Sequence, residues 1–259
     1  MINIIEIKGQ ESRSVYNAQL IDFEKKFSYP FGEDRFRLDH GNNYYAFFDR
    51  IGQPHVFCAL DEGLIVAVCI AVLREVPIAS KKQLAWYLCD LKIDHKYRGT
   101  RLVQKLCAYA LPKYWHICDK IYGVSMNDKA YKGNRVVNFA SKIRGLDLEE
   151  KASLVFYMLD AEDKKLRNDL MRLQPYFVSN SGIKDLLMAK TKQHLSLRHY
   201  QKNYAANPEP IKKGVNYMLC YSGDEMIPEK ISKTSPAATA TVIANFQPDT
   251  WSFISSAEI

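Results

Sequence analysis

Ala85-Trp-Tyr-Leu-Cys-Asp-Leu-Lys-Ile-Asp-His-Lys-Tyr-Arg-Gly-Thr-Arg-Leu-Val-Gln-Lys-Leu-Cys-Ala-Tyr-Ala-Leu111 is the stretch on which the fold turns. Trp86 to Ile93 is apolar enough for a strand, Asp94 to Gly99 is a polar turn, and Leu102, Val103, Leu106, Cys107, Ala110 and Leu111 recur at the spacing of one helical face, with a stop expected at Pro112. A helix start presents backbone N–H groups that no carbonyl of the helix satisfies, and it carries a partial positive charge. Arg98-Gly99 just before such a start lets the chain run close to an anion, for which a diphosphate is the natural occupant. The spacing Gly-x-x-x-x-Gly-Lys-Ser/Thr of a phosphate-binding loop is absent, and so are the three spaced glycines of a dinucleotide site.

Downstream, Lys120 to Ser125 and Ser153 to Leu159 predict further strands, with Asn134 to Leu146 between them. Upstream, Ile2 to Lys8 is rich in Ile and predicts a first strand, followed by a helix over Ser14 to Phe27 that Pro30 and Gly32 end. Phe31 to Asn43 reads as loop with a short helix. His55 to Leu60 and Leu64 to Val76 predict a strand pair joined by Asp61-Glu62-Gly63. The second of these has no polar alternation, so both its faces should be covered.

The strand, Arg-Gly turn and helix resemble motif A of the GNAT acetyltransferase superfamily, with Arg98, Gly99, Thr100 and Leu102 matching; Arg101 stands where the family has its second glycine and Val103 where it has a third small residue. Asn134, Val137, Ala140, Gly145 and Leu146 also sit at the offsets of the family's Asn, apolar helix and Gly-Phe, Leu146 replacing the Phe, which implies a helix after Asn134 and a short insertion over Met126 to Gly133. The resemblance covers residues 1–160. It implies an α/β fold, a GNAT-like mixed central sheet flanked by helices, in which acetyl-CoA lies where the strand carrying Leu91 and Ile93 splays from its neighbour. Backbone of Leu91 and Ile93 would hold the pantetheine arm and polarise the thioester carbonyl. Arg98, Gly99, Thr100, Arg101, Leu102 and Val103 would hold the diphosphate, and Asn134 the arm further along.

Transfer to an amine needs a base for the ammonium and a proton for the leaving thiolate. Asp90 is the carboxylate of the splayed strand and the candidate base; the same residue also reads as a strand carboxylate paired with a Lys or Arg on an adjacent element. The family's acid, a Tyr in the helix after the Asn, is replaced here by Ser141, and Tyr131 in the insertion is a second candidate. Tyr44, Tyr45, Phe47 and Phe48 fall where the resemblance places the acceptor side.

The rest of the composition narrows the classes. With 47% hydrophobic and 25% charged residues, 12 Gly and 10 Pro in 259 residues, collagen-like, disordered and disulfide-scaffold chains are excluded. The longest apolar run, Leu64 to Leu73, is half the roughly 20 residues of a membrane-spanning helix. The N-terminal residues lack the pattern of a signal peptide, so a cytoplasmic location is expected. The six cysteines show no ligand or redox spacing and read as reduced core residues, and no metal is expected. The net charge of +7 is spread evenly, unlike the stripe of a nucleic-acid binder, so neither nucleic acid nor membrane is an expected partner.

After Asp160 the pattern predicts a charged helix over Ala161 to Leu173, an extended Tyr176 to Ser179, a helix over Ile183 to His199, strands over Val215 to Tyr221 and Thr239 to Phe246, and a short strand over Trp251 to Ser255. Residues 161–259 thus read as an α+β extension to the 1–160 domain, without a second Arg-Gly turn opening a helix. The sequence reading is an acyl-CoA-dependent N-acyltransferase using acetyl-CoA and an amine acceptor, as monomer or homodimer. The alternative is a catalytically inactive CoA-binding or protein-interaction module.

Overall fold

The computed structural model describes residues 1–128, 134–143, 145–160, 168, 177–201, 211–223 and 225–258. The chain opens with β1 (Asn3–Ile7) and α1 (Gly9–Glu24), then β2 (Tyr29–Phe31), β3 (Asp34–Asp39) and α2 (Ala46–Ile51). Three long antiparallel strands follow, β4 (Gln53–Asp61), β5 (Leu64–Ile78) and β6 (Lys81–Ile93). Next come α3 (Leu102–Tyr114), β7 (Ile121–Met126), α4 (Arg135–Ala140) and β8 (Glu149–Asp160). Later segments supply β9 (Phe177–Ser179), β10 (Asp185–Met188), β11 (His194–Leu195), β12 (Leu197–Tyr200), β13 (Asn216–Ser222) and β14 (Ala238–Ala244). The expected mixed sheet flanked by helices is present: ten strands run in the order β1-β4-β5-β6-β7-β14-β8-β13-β12-β9, with β6–β7 and β12–β13 parallel.

Alternation along the strands sends neighbouring side chains to opposite faces. Trp86 joins Leu102, Leu106, Val137 and Leu146 in a core beneath α3 and α4. Tyr87 joins Leu20, Phe23, Phe47 and Phe48 in a core beneath α1 and α2. The apolar run of β5 is covered on both faces, its Val66 and Val68 lying in the two different cores.

The β4–β5 connection is tighter than expected. Asp61 pairs with Leu64, leaving Glu62 and Gly63, both at positive φ, as a two-residue turn. The β5–β6 turn puts Ala79 and Ser80 at positive φ without a glycine, and Asp249 holds it by accepting from both amides at 2.8 and 2.7 Å. Helix α3 continues past Pro112 to Tyr114, because a proline near a helix end forfeits one donor while Trp115 N still reaches Leu111 O at 3.0 Å. Phe31 to Asn43 is mainly the β2–β3 hairpin, and the helix comes later as α2.

Residues after 160 depart most from expectation. Ile183 to His199 is not a helix but β10, β11 and β12. Gly182 and Lys192 take left-handed backbone that interrupts a helix, and β10 finds β3 and β11 as neighbours in a second, four-stranded sheet. Gly41 is required here, because a Cβ on it would lie 2.2 Å from Gly182 O. Trp251 to Ser255 is a turn-rich plug rather than a strand, with Trp251, Phe253 and Ile254 all buried. The helix expected over 161–173 lies outside the described residues. The sheet has no break at residue 160: β14 lies between β7 and β8, while β13, β12 and β9 extend it beyond β8. Among the described residues no helix is long and apolar enough to cross a membrane.

Candidate functional site

Strand β6 pairs with β7 only through Trp86–Ile121, Tyr87–Tyr122 and Leu88–Gly123. Beyond Leu88 its other edge stays on β5 through a bulge, at which Asp90 takes a left-handed φ of 55°. The facing edge from Cys89 to Ile93 therefore leaves β7, and no described strand pairs with it on that side. A cavity of about 510 Å³ fills the divergence, within the range of small-molecule sites. Leu91 and Lys92 of β6, Val124 and Ser125 of β7, Val103 of α3 and Phe47 of α2 all line it, so it passes through the sheet from one core to the other.

At the α3 end, Asp94 sets where β6 stops. Its amide still reaches Val66 O at 2.9 Å, and its side chain accepts from Lys96 N at 3.2 Å and from Lys26 Nζ at 2.7 Å. The chain then passes through the short turn His95–Tyr97 into Arg98, Gly99, Thr100 and Arg101, all exposed. Gly99 has φ 84° and nothing within 4 Å of an added Cβ. Arg101 occupies left-handed space (φ 60°, ψ 26°) directly before α3, and no side chain caps the helix. Among the described residues the Arg98 and Arg101 guanidinium groups have no ion-pair partner, whereas the Thr100 hydroxyl is committed to Tyr97 O at 2.6 Å. Leu102 is buried in the α3 core, so only its backbone is available to a ligand; Ile93 also packs against that core and does not line the cavity.

Asn134 ties β7 to α4. Its Oδ1 accepts from Ser125 Oγ and the amides of Val136 and Val137, and its Nδ2 donates to Ser125 O, Met126 O and Asn127 Oδ1. Two of these carbonyls belong to the diverging end of β7. Ser141 closes α4, exposed, with its hydroxyl 3.4 Å from Asn138 O and outside the cavity lining. Tyr131 lies outside the described residues.

Asp90 lines the cavity but is fully engaged: Lys92 Nζ and Tyr44 OH both hydrogen-bond its carboxylate. Burial pushes this carboxyl up, and the Lys92 ammonium overrides that and holds it below the ordinary range, with His40 and Tyr44 acting in the same sense. Asp90 is thus an ion-paired carboxylate, but its partner is Lys92 of the same strand and not a residue of an adjacent element. Lys92 Nζ also donates to Glu24, whose own carboxyl is raised by burial against the opposing pull of Lys92. Glu24, His40 and Asp90 bring ligand-type atoms within 4.8 Å of one another, but the Lys92 ammonium bridges the two carboxylates where a cation would sit. His40 is buried with both ring nitrogens unpartnered, and desolvation lowers it to about 4.

Sequence reading missed this ionic cluster, since α1, β6 and the loop around α2 contribute one or two members each. The one local signal was a lysine between apolar neighbours, Leu91-Lys92-Ile93. It also missed Lys184, which lines the cavity from the segment leading into β10. Phe47 and Phe48 line the cavity, while Tyr44 and Tyr45 are core residues outside its lining.

No protein-family model matches the chain, and no curated protein does. Solved structures do resemble it. A tandem GNAT protein from the clavulanic acid biosynthesis pathway is 7% identical over 93% of this chain and 98% of that one, with a TM-score of 0.52. A conserved protein from Enterococcus faecalis V583, described as a probable N-acyltransferase, is 8% identical over 94% and 72%, with a TM-score of 0.46. An aminoglycoside acetyltransferase from an uncultured soil metagenomic sample is 17% identical over 54% and 82%, with a TM-score of 0.34. At these identities the likeness is one of fold.

Proposed function

We propose that the chain is an acyl-CoA-dependent N-acyltransferase that moves an acetyl group from acetyl-CoA to a primary amine by direct attack in a ternary complex. One observation carries this reading: β6 leaves β7 after Leu88–Gly123 beside the uncapped start of α3, where exposed Arg98 and Arg101 stand. An open strand edge offers amide groups that a pantetheine arm satisfies much as an added strand would. In this reading the backbone of Leu91, which lines the opening where Ile93 does not, receives the arm, and the loop from Arg98 to Val103 receives the diphosphate through helix N–H groups and two guanidinium groups. The fold shared with the tandem GNAT protein supports the acyltransferase reading in general.

Asn134 acts as a positioning residue, holding the β7 side of the opening through Ser125 O and Met126 O. The amine nitrogen attacks the thioester carbon, the C–S bond breaks, and the proton shed by the nitrogen is taken up by the departing sulfur by way of solvent. A carboxylate held low by Lys92 is a weak base, so Asp90 serves to fix Lys92 and the cavity wall rather than to take that proton. Among the described residues after 160, Lys184 and Glu258 wall the acceptor side of the same cavity.

Calorimetric titration with acetyl-CoA, CoA and a longer acyl-CoA tests the assignment. Saturable binding of a thioester, with acyl transfer to some member of an amine panel, is the expected result. Binding without transfer would leave the inactive CoA-binding module, and no binding of any of the three would overturn the reading.

A further inference from the structure

Lys184 is a buried cation without a counter-ion. It is only 7% exposed and lines the cavity, and among the described residues its Nζ has one hydrogen-bond acceptor, Ala257 O at 2.6 Å. The face of Phe47 lies beneath it, 4.1 Å from Nζ to the ring centre. An ammonium has three donors, so two remain for the cavity. No carboxylate of the described residues is within salt-bridge distance. Asp90 and Glu24, the carboxylates whose charge acts on it, are already bridged by Lys92. Leaving a charge buried and uncompensated costs several kcal/mol, so a site built this way is completed by an anion from outside. Burial lowers the amine to about 8, which still leaves it mostly protonated at neutral pH, and an anion beside it would raise it again.

The side of the sheet says which part of a ternary complex meets this cation. Phe47 and Ala257 belong to the core beneath α1 and α2, opposite the α3 face that carries the exposed arginine loop. Phe47 lies against Lys184, and Leu38 and Phe48 of the same core also line the cavity, among whose charged groups Asp90 and Lys92 are paired with one another and Glu258 with Arg74. We infer that Lys184 is the recognition point for a carboxylate carried by the acceptor, making that acceptor an apolar amino-acid-type amine, a statement that rests on the transferase reading for the acceptor's identity. Polyamines and aminoglycosides fit poorly, since they would bring cations to a cavity whose uncommitted charge is already positive.

The experiment uses the full chain and a matched pair of product-like probes, N-acetylleucine and N-acetylleucinamide, which differ in charge at one group and need no cofactor. Titration calorimetry is expected to give at least a tenfold preference for the acid. Lys184→Met should abolish that preference and Lys184→Arg should keep most of it, with melting curves verifying that each variant is folded. Equal affinities, no binding of either probe, or a preference that survives Lys184→Met would overturn the inference. A Lys184-dependent preference for succinyl-CoA over acetyl-CoA would overturn it too, by placing the carboxylate on the donor. Acetyl-CoA affinity, measured in parallel, reports on the transferase reading by itself: its absence alongside an intact acid preference would remove the transferase and leave an anion site.

Discussion

The two ends of the cavity both carry positive charge and use it in opposite ways. At the outer end Arg98 and Arg101 are exposed and without ion-pair partners among the described residues, on a loop whose glycine meets nothing. At the inner end Lys92 and Lys184 are buried, one locked between two carboxylates and the other held by a carbonyl and an aromatic face. Exposed charges contribute little to folding because water already solvates them, whereas buried ones commit the fold to their partners. The outer end should therefore respond to substitution mainly in ligand affinity, Lys92 at the inner end mainly in stability, and Lys184, which has no carboxylate partner among the described residues, mainly in what the cavity holds.

The largest effect is expected at Lys92. Lys92→Met strips the counter-ion from buried Glu24 and Asp90 and should cost about 3–5 kcal/mol in urea unfolding. The triple replacement Glu24→Gln, Asp90→Asn, Lys92→Met should recover most of that loss; a cost below about 1 kcal/mol for Lys92→Met alone would erase the contrast between the two ends.

Acid comes next. Burial lowers His40 to about 4 and His199 to about 3, the latter helped by the Lys184 charge. Below the unfolded value of 6.5 the unfolded chain binds protons that the folded chain refuses, so stability falls as pH drops from 6.5 towards those values. Each histidine contributes up to about 1.4 kcal/mol per pH unit in that window. His40→Gln and His199→Gln should each flatten the stability profile between pH 6.5 and 4, while profiles unchanged from the parent would mean that the rings titrate in the folded protein.

Two outer-end substitutions complete the set. Gly99→Val asks a β-branched residue to hold φ 84° and should lower acetyl-CoA affinity about tenfold, roughly 1.4 kcal/mol, with cooperative unfolding retained. Arg101→Gly should do two opposite things at once, relieving about 1 kcal/mol of left-handed strain and so raising Tm, while weakening acetyl-CoA by removing a charge. Tm and affinity moving together in Arg101→Gly would show that the arginine is there for the fold.

This contrast also marks what could be read from sequence. The outer end is local: one strand, one turn and one helix start within a single stretch, and the loop stands where that stretch puts it. Strands β4 to β8 follow for the same reason, their apolar runs and turn residues being adjacent in the chain. The inner end is assembled from distant pieces. Glu24, His40, Tyr44, Asp90 and Lys92 have no mutual spacing, and each alone resembles an ordinary polar residue in its own element. Lys184 was hidden further by periodicity, because Ile183, Leu186 and Leu187 fit a helix, although only Leu186 and Leu187 enter a strand, and a helix puts a neighbouring lysine on a solvent face. Asn134 was placed correctly at the start of α4, but its six hydrogen bonds, five to β7 and α4 and one to Asn127, could not be anticipated from an offset.

The position of β14 carries a consequence for synthesis. The strand between β7 and β8 comes from late in the chain, and Tyr87 under the cavity donates to Glu258 O from 171 residues away. As the nascent chain leaves the ribosome, β7 and β8 emerge with a neighbour missing, each presenting an open edge of the kind that invites pairing with a second chain. Early translation products would thus be sensitive to protease and to chaperone capture until the last strand docks, and a ligand that needs both walls of the opening gains its hold only at that moment.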